Sequence, residues 1–453
     1  MNYNCERMSA SFRLPGEQAS RSAFSLVFAI SLIIRLAVLW VAGAVPFVAD
    51  SHEYISSANL ILSGHPFIPY VPPGLPLYLA LFIAAGASSM VLRASMLFFW
   101  ALTCWGLLRI SRTLEMERIA WLVLLLFAVM PASIQMSIEP QTQQAAAALL
   151  LFALSAAIRC VRGAGICEYL LLGSSLGWLA LVRPSSLPLL VIIPAVCFLA
   201  SRKWQNAMLS VLLGCALVGG WMAWAHRLTG AWMINSANNV NLYYGNNPWT
   251  PVYRTWYFGS HAKRETSEIA NYPEYARVLE HIFSLPKIEQ SNEFKRMAVQ
   301  HIMNRPGLFL FRTFNRITCY FGFDTFTSAN LRNDGPLAQR LVPVSLALEA
   351  LTYLCVAVPA FFWIAAAPMQ FWQQWESRLL AGAVFLYSLP YWLVMSHPTY
   401  HYPVMLPLAV LAVLAWRASQ SQPVRRTRGW VALVALGLIQ IEWVLISMTT
   451  HAV

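Results

Sequence analysis

Residues 47 to 79 read FVADSHEYISSANLILSGHPFIPYVPPGLPLYL and follow an apolar run at 23-45. About 20 such residues cross a bilayer, so Asp50, His52 and Glu53 arrive together where the chain leaves a first membrane helix. Two carboxylates and a histidine at that depth are costly unless they are paired or functional. Asp50, Glu53 and Tyr54 stand at i, i+3 and i+4, so a helix beginning near Asp50 shows them on one face. Tyr54, Ala58, Ile61 and Leu62 continue as an apolar stripe, and Gly64 is a suitable stop. Asp50 is therefore either a functional carboxylate or merely the N-cap of an interfacial helix, with Ser51 as the competing cap.

The rest of the chain is as apolar as this beginning. Of 453 residues, 58% are hydrophobic, 13% aromatic and only 11% charged, against about 45–50% apolar and 25% charged in soluble domains. The composition is that of an all-α polytopic membrane protein. The net charge of +12 is scattered between apolar runs, the pattern of orientation signals rather than of nucleic-acid binding. Eight cysteines at irregular spacing, with no CxxC pair, indicate neither a disulfide framework nor a zinc site. The "VAGA" near the end of 23-45 resembles a cleavage site, but the run is long enough to span and is read as an uncleaved helix.

Apolar runs at 23-45, 93-110, 119-137, 141-158, 168-182, 185-200, 206-226, 341-366, 378-396, 401-417 and 430-448 give about eleven expected spans. With a cytoplasmic N-terminal tail, 1-22, the basic loops at Arg109/Arg112/Arg118, Arg159/Arg162, Arg202/Lys203 and Arg425/Arg426/Arg428 all fall inside. The first loop, 46-92, and the polar region, 227-340, then fall outside. The polar region separates an N-terminal transmembrane module, 23-226, which contains the first loop, from a C-terminal one, 341-453. Two further apolar segments, "GLPLYLALFIAAG" and "PGLFLFRTFNRITCYFGF", would reverse the basic loops if they crossed, so both are expected to lie in the outer interface. In the second, 307-323, Leu310, Phe314, Ile317 and Phe321 share a helical face turned away from Arg312, Asn315, Arg316 and Cys319, as in a surface-lying helix. The stretch 227-306 reads as a loop subdomain too short of core to fold by itself.

The outer face collects the polar candidates. Glu139 sits in a very short connection, "SIEP", where it is either a functional carboxylate or a solvated loop residue. Arg183, in "LVRPSSLPLL", breaks the positive-inside pattern. It suits bidentate capture of a phosphate, and its ordinary alternative is a snorkelling side chain. Arg35, in mid-span, should face the bundle and bond a carbonyl or carboxylate. His397 and His401 are more often structural than catalytic in such a setting. No Walker A, GxGxxG, HExxH or GxSxG element occurs in a credible context.

In order along the chain stand "DSHEYISSANLILSG", "PPGLPLYLALF", "SIEP", "GWLALVRPSSLPLL", "NVNLYYGNNP", "NRPGLFLFR" and "HPTYHYPVMLPLAVL". This series resembles the integral-membrane GT-C glycosyltransferases, in particular the bacterial branch similar to protein O-mannosyltransferases and the aminoarabinose transferase of lipid A. The resemblance implies a GT-C-like helix bundle in the inner membrane, a polyprenyl-phosphate sugar donor and an extracytoplasmic active site. It also implies a first-loop Asp as general base, the position of Asp50, and a lipid, glycan or protein acceptor. The chain departs from the pattern twice. Ser51 and His52 separate Asp50 from Glu53, where the family often has Asp followed directly by Glu. The penultimate loop reads "TYHYP" in place of an Arg-Tyr pair, which leaves His401 as the basic residue there.

On this reading Asp50 deprotonates the acceptor, and Arg183, with His401, Lys263 or Arg264 as further candidates, stabilises the leaving phosphate. His52, Glu53 and Tyr54 would line the substrate site. Glu139 would orient the acceptor or hold a divalent cation, Mg²⁺ or Mn²⁺, together with Asp50. The rivals are a transporter or flippase of lipid-linked saccharides and a non-catalytic envelope scaffold. A transporter would show inverted repeats and ionisable residues near the midplane, whereas the charges here gather at one surface.

Overall fold

Residues 142–161, TQQAAAALLLFALSAAIRCV, form the centre of the molecule. A helix that is apolar all round must be buried all round, and the four consecutive alanines Ala145, Ala146, Ala147 and Ala148 are nearly or fully inaccessible. The architecture is taken from a computed structural model, which describes residues 17–43, 45–48, 50–255, 272–333 and 336–450. It is helical throughout, with no strand among the described residues.

In chain order the first half comprises α1 (Glu17–Ala42), α2 (Ser51–Ser63), α3 (Gly74–Ala84), α4 (Ser89–Thr113), α5 (Glu117–Val129), α6 (Pro131–Met136), α7 (Thr142–Val161), α8 (Ile166–Val182), α9 (Leu189–Ser201) and α10 (Trp204–Thr229). A polar region follows, with α11 (Ala237–Gly245), α12 (Pro273–Ser284), α13 (Lys287–Asn304), α14 (Pro306–Tyr320) and α15 (Phe326–Asn333). The chain ends in α16 (Pro336–Ala366), α17 (Met369–Gln373), α18 (Trp375–Leu393), α19 (Tyr402–Ser421) and α20 (Arg426–Thr450). Helices α4, α8, α9, α18 and α19 pack around α7, so the first and last parts of the chain share one core.

Eight of the described helical segments have the length and apolar composition to cross a membrane: α1, α4, α7, α10, α16, α20, and α9 and α19 each taken with the helical turn before it (Pro184–Ser201 and Pro398–Ser421). That is fewer than the eleven expected. Run 119-137 is broken where Pro131 starts α6. Run 168-182 gives α8, whose 17 residues rise about 25 Å against a hydrocarbon core of about 30 Å. Run 378-396 gives α18, which carries Pro390 inside and Glu376 in its first turn. The segment "GLPLYLALFIAAG" forms α3, whose 11 residues rise only about 16 Å.

Two close approaches fix the site's walls. A Cβ added at Gly173 of α8 would lie 2.4 Å from the Ser210 carbonyl oxygen of α10, and one at Gly177 would lie 2.8 Å from the Gly214 Cα. This small-xxx-small spacing lets two backbones touch. At the far end of the same bundle, Arg109 and Arg159 both pair with Glu168, at 2.7 and 3.1 Å, and Arg162 pairs with Glu376 at 2.9 Å. The expected basic loops thus meet at one end, and α2 and α11 lie at the other.

The polar region has a small core of its own. Tyr243, Tyr275, Ile282 and Phe294, from α11, α12 and α13, are all at most 1% exposed. Helix α14 divides its faces as expected, with the polar side inward. Arg312, Asn315 and Arg316 are buried, while Leu310 and Phe314 are 67% and 61% exposed. Arg316 donates to the Leu393 carbonyl (2.9 Å), to Asn246 Oδ1 (3.0 Å) and to the Gly245 carbonyl. One side chain thereby joins α14 to α11 and α18.

Candidate active site

Helix α2 begins where the sequence places it, but neither expected cap closes it. Asp50 occupies the N-cap position and its side chain makes no capping hydrogen bond. Its backbone carbonyl accepts from the amides of Glu53 and Tyr54. Ser51 is turned the other way: it accepts from Gln141 Nε2 at 2.9 Å and donates to Glu139 Oε2 at 3.4 Å. The Asp50 carboxylate is exposed and lines a cavity of about 1070 Å³.

Arg183 enters the same cavity from α8. Pro184 disfavours helical geometry at the preceding residue, and Arg183 accordingly leaves the helix at φ −140° and ψ 92°. Its guanidinium carbon lies 5.6 Å from the ring centre of Tyr400, a cation–π distance. Its Nε is buried and finds no hydrogen-bond partner among the described residues. A buried donor without an acceptor is costly. The Nε atoms of Arg35, Arg312 and Arg316 share this condition, but their terminal nitrogens donate to protein acceptors, whereas those of Arg183 donate to no described residue.

Tyr54 stands between the two. It is 5% exposed, and its hydroxyl lies 3.4 Å from Thr142 Oγ1. Burial, and then the Asp50 charge, push it up to about 12, while Arg183 opposes the shift. The phenol thus stays neutral at physiological pH and remains a hydrogen-bonding group. Tyr391 from α18, Tyr70 from the loop after α2, and Asn238 and Asn241 from α11 complete the walls.

The other expected site residues are distributed differently. Glu53 lines the cavity with Asp50, but His52 does not; its ring meets Phe47 edge-on at 6.1 Å. His401 is 3% exposed, its Nδ1 lies 2.7 Å from the Tyr320 carbonyl, and it is not part of the lining. The preceding Tyr400 faces the cavity in its place. Lys263 and Arg264 lie outside the described residues.

Glu139 requires a correction. Its Oε1 accepts from Arg93 Nε at 2.8 Å, and both side chains are at most 5% exposed. Arg93 also donates to the carbonyls of Val45 (2.9 Å) and Pro46 (3.1 Å) and lies over the Phe47 ring. Glu139 is not among the residues that line the cavity; its two carboxylate oxygens are engaged by Arg93 and Ser51 instead. Its role is positional: the ion pair fixes the chain between α1 and α2, and with it the approach to Asp50. No cluster of three potential metal ligands occurs among the described residues.

Arg93, Tyr391 and the asparagines of α11 were not singled out from the sequence. Arg93 left a usable signal, since it is a basic residue on the side that the charge rule assigns as outer, as Arg183 is. Tyr391 left none, because a tyrosine in an apolar run is ordinary.

No family model matches the chain, and no curated protein matches it. Among solved structures, it is similar to the archaeal oligosaccharyltransferase AglB from Archaeoglobus fulgidus, determined with an inhibitory peptide and a dolichol-phosphate. That likeness has a TM-score of 0.44 and 14% identity, over 95% of this chain and 56% of that one. It is likewise similar to an Archaeoglobus fulgidus oligosaccharyltransferase in the apo form, with a TM-score of 0.46 and 16% identity, over 94% and 55%. The chain spans a little over half the length of each.

Proposed function

We propose that the protein is a membrane glycosyltransferase of the GT-C type that moves a sugar from a polyprenyl-phosphate donor to an acceptor on the extracytoplasmic side. The observation that carries this reading is the Arg183 guanidinium, whose buried Nε has no partner, in one cavity with the Asp50 carboxylate. The donor phosphate sits on Arg183, where a planar fork can hold two oxygens. Asp50 takes the proton of an acceptor hydroxyl or amine as that atom bonds to the anomeric carbon. The bond from that carbon to the phosphate oxygen breaks, and its electron pair leaves on the lipid phosphate, whose charge Arg183 stabilises. The cavity's position at the end of the bundle, flanked by the short helices α2 and α3, suits a reactive carbon held just above the bilayer.

The test uses purified full-length protein and undecaprenyl-phosphate sugars, with loss of the glycolipid and release of undecaprenyl phosphate as the readout. Asp50→Asn is nearly isosteric and should lower turnover by about 10²- to 10⁴-fold with an unchanged unfolding midpoint. A folded Asp50→Asn protein that turns over at the native rate removes Asp50 as base.

A further inference from the structure

The cavity that the Asp50 carboxylate lines also has a wall of amides. Asn235, Asn238, Asn239 and Asn241 all line it, within the stretch NSANNVN that carries no charged residue. Two backbone bonds, from Ser236 N to the Pro69 carbonyl (2.8 Å) and from Ala237 N to the Tyr70 carbonyl (3.2 Å), pin the start of α11 to the loop after α2. Asn235 reinforces this by donating Nδ2 to the Tyr70 carbonyl at 3.1 Å. Its other atom, Oδ1, has no partner among the described residues although the side chain is only 8% exposed. Asn239 is occupied elsewhere, by Ser291 Oγ of α13 at 2.9 Å. Asn238 and Asn241, at i and i+3, share a helix face, and the Asn241 amide makes no hydrogen bond among the described residues.

An amide offers one acceptor oxygen and two donor hydrogens, and a hydroxyl is likewise both donor and acceptor. A row of amides with open positions therefore matches a row of hydroxyls. A phosphate calls for cations and a lipid tail for apolar side chains, and this row supplies neither. The carboxylates Asp50 and Glu53 in the same cavity repel an anionic ring, and an ammonium, which only donates, would leave the amide hydrogens without an acceptor. We infer that Asn235, Asn238 and Asn241 read the hydroxyl groups of the donor's sugar, and that this sugar is uncharged. The inference rests on the proposed transferase reading, which places the phosphate at Arg183 and the anomeric carbon within reach of Asp50, so that the ring's hydroxyl edge turns to α11.

Affinity is measured in nanodiscs for undecaprenyl phosphate alone and for the same lipid carrying glucose, glucuronate or glucosamine. The glucosyl lipid should bind about tenfold more tightly than the bare phosphate, as two or three neutral hydrogen bonds allow. Glucuronate should remove that gain. Asn241→Ala gives up no described hydrogen bond, so it should fold normally and erase most of the glucosyl gain while leaving affinity for the bare lipid unchanged. Asn235→Ala should do the same, with some loss of stability from the Tyr70 bond. An undiminished glucosyl gain in both variants overturns the inference, as does tighter binding of glucuronate or glucosamine than of glucose. Failure of the native protein to bind undecaprenyl phosphate at all, or binding unaffected by Arg183→Ala, overturns the transferase reading instead and takes the sugar assignment with it.

Discussion

Two acid–base sets lie at the same end of the bundle, and the adjacent residues Asp50 and Ser51 lead one into each. Ser51 hydrogen-bonds Glu139, which closes on Arg93, whereas Asp50 opens into the cavity that Arg183 also lines. In the first set the protein fills the hydrogen-bonding capacity: Arg93 has a carboxylate and two carbonyls. In the second it leaves the Arg183 Nε buried without an acceptor. Arg35 and Arg316 belong with the first through their terminal nitrogens, although the Nε of each is buried without a partner as well. Arg35 bonds the hydroxyls of Ser31 and Ser133 and the carbonyls of Phe127 and Ala128, in line with the bundle-facing role its sequence position suggests. Neither burial nor an unpartnered Nε identifies a functional charge by itself; a buried guanidinium that donates from no nitrogen to a described residue, as at Arg183, stands apart.

The largest expected effect breaks the filled set. Removing one partner of a buried ion pair leaves an uncompensated charge and costs about 3–5 kcal/mol. Arg93→Met and Glu139→Gln should each lower the unfolding midpoint in detergent by that equivalent. Arg93→Met combined with Glu139→Leu should recover much of the loss, because no charge is left behind. Asp50→Asn should leave the midpoint where it was. If Asp50→Asn destabilises as much as Glu139→Gln, the distinction between the two sets disappears.

A smaller effect compares two arginines directly. Lysine keeps the charge but presents a point donor in place of the planar fork. Arg316→Lys should therefore lose stability, since its guanidinium fans out to Leu393, Asn246 and Gly245. Arg183→Lys should leave stability intact and weaken binding of undecaprenyl phosphate by about 10- to 100-fold, the range for a lost hydrogen bond to a charged group. The reverse pattern, a destabilised Arg183→Lys that binds normally, would place Arg183 among the structural arginines.

Much of this frame was legible in the sequence because it follows from composition and period. The apolar runs, the gathering of basic loops at one end, the start of α2 near Asp50 and the two-faced character of α14 each rest on many residues at once. The number of spans was less secure. Pro131, and the shortness of the segment before Arg183-Pro184, were visible, but whether such features kink a span or end it depends on neighbours. Glu139 shows the same limit at one residue: sequence establishes that a carboxylate there needs a partner, and only packing reveals that Arg93, 46 residues earlier in the chain, is that partner. Tyr391 becomes informative only once α18 lies beside Arg183.

The smallest expected effect tests the outward face of α14. Leu310 and Phe314 are apolar yet exposed, while Arg312 and Arg316 on the other side are buried against carbonyls. In a soluble protein this arrangement would be inverted; against lipid it is the stable one, because the apolar face needs no protein cover. Phe314→Ser removes no described packing partner inside the bundle, so in detergent it should change stability by no more than about 0.5 kcal/mol. Its consequence should appear only in a bilayer. A fluorophore on a cysteine at position 314 should be quenched by brominated lipid, most strongly when the bromines lie near the headgroups. Quenching that peaks with bromines at the bilayer centre would make α14 part of a tilted span, and no quenching at any depth would lift this end of the cavity away from the membrane and leave a lipid-linked donor without support on that side.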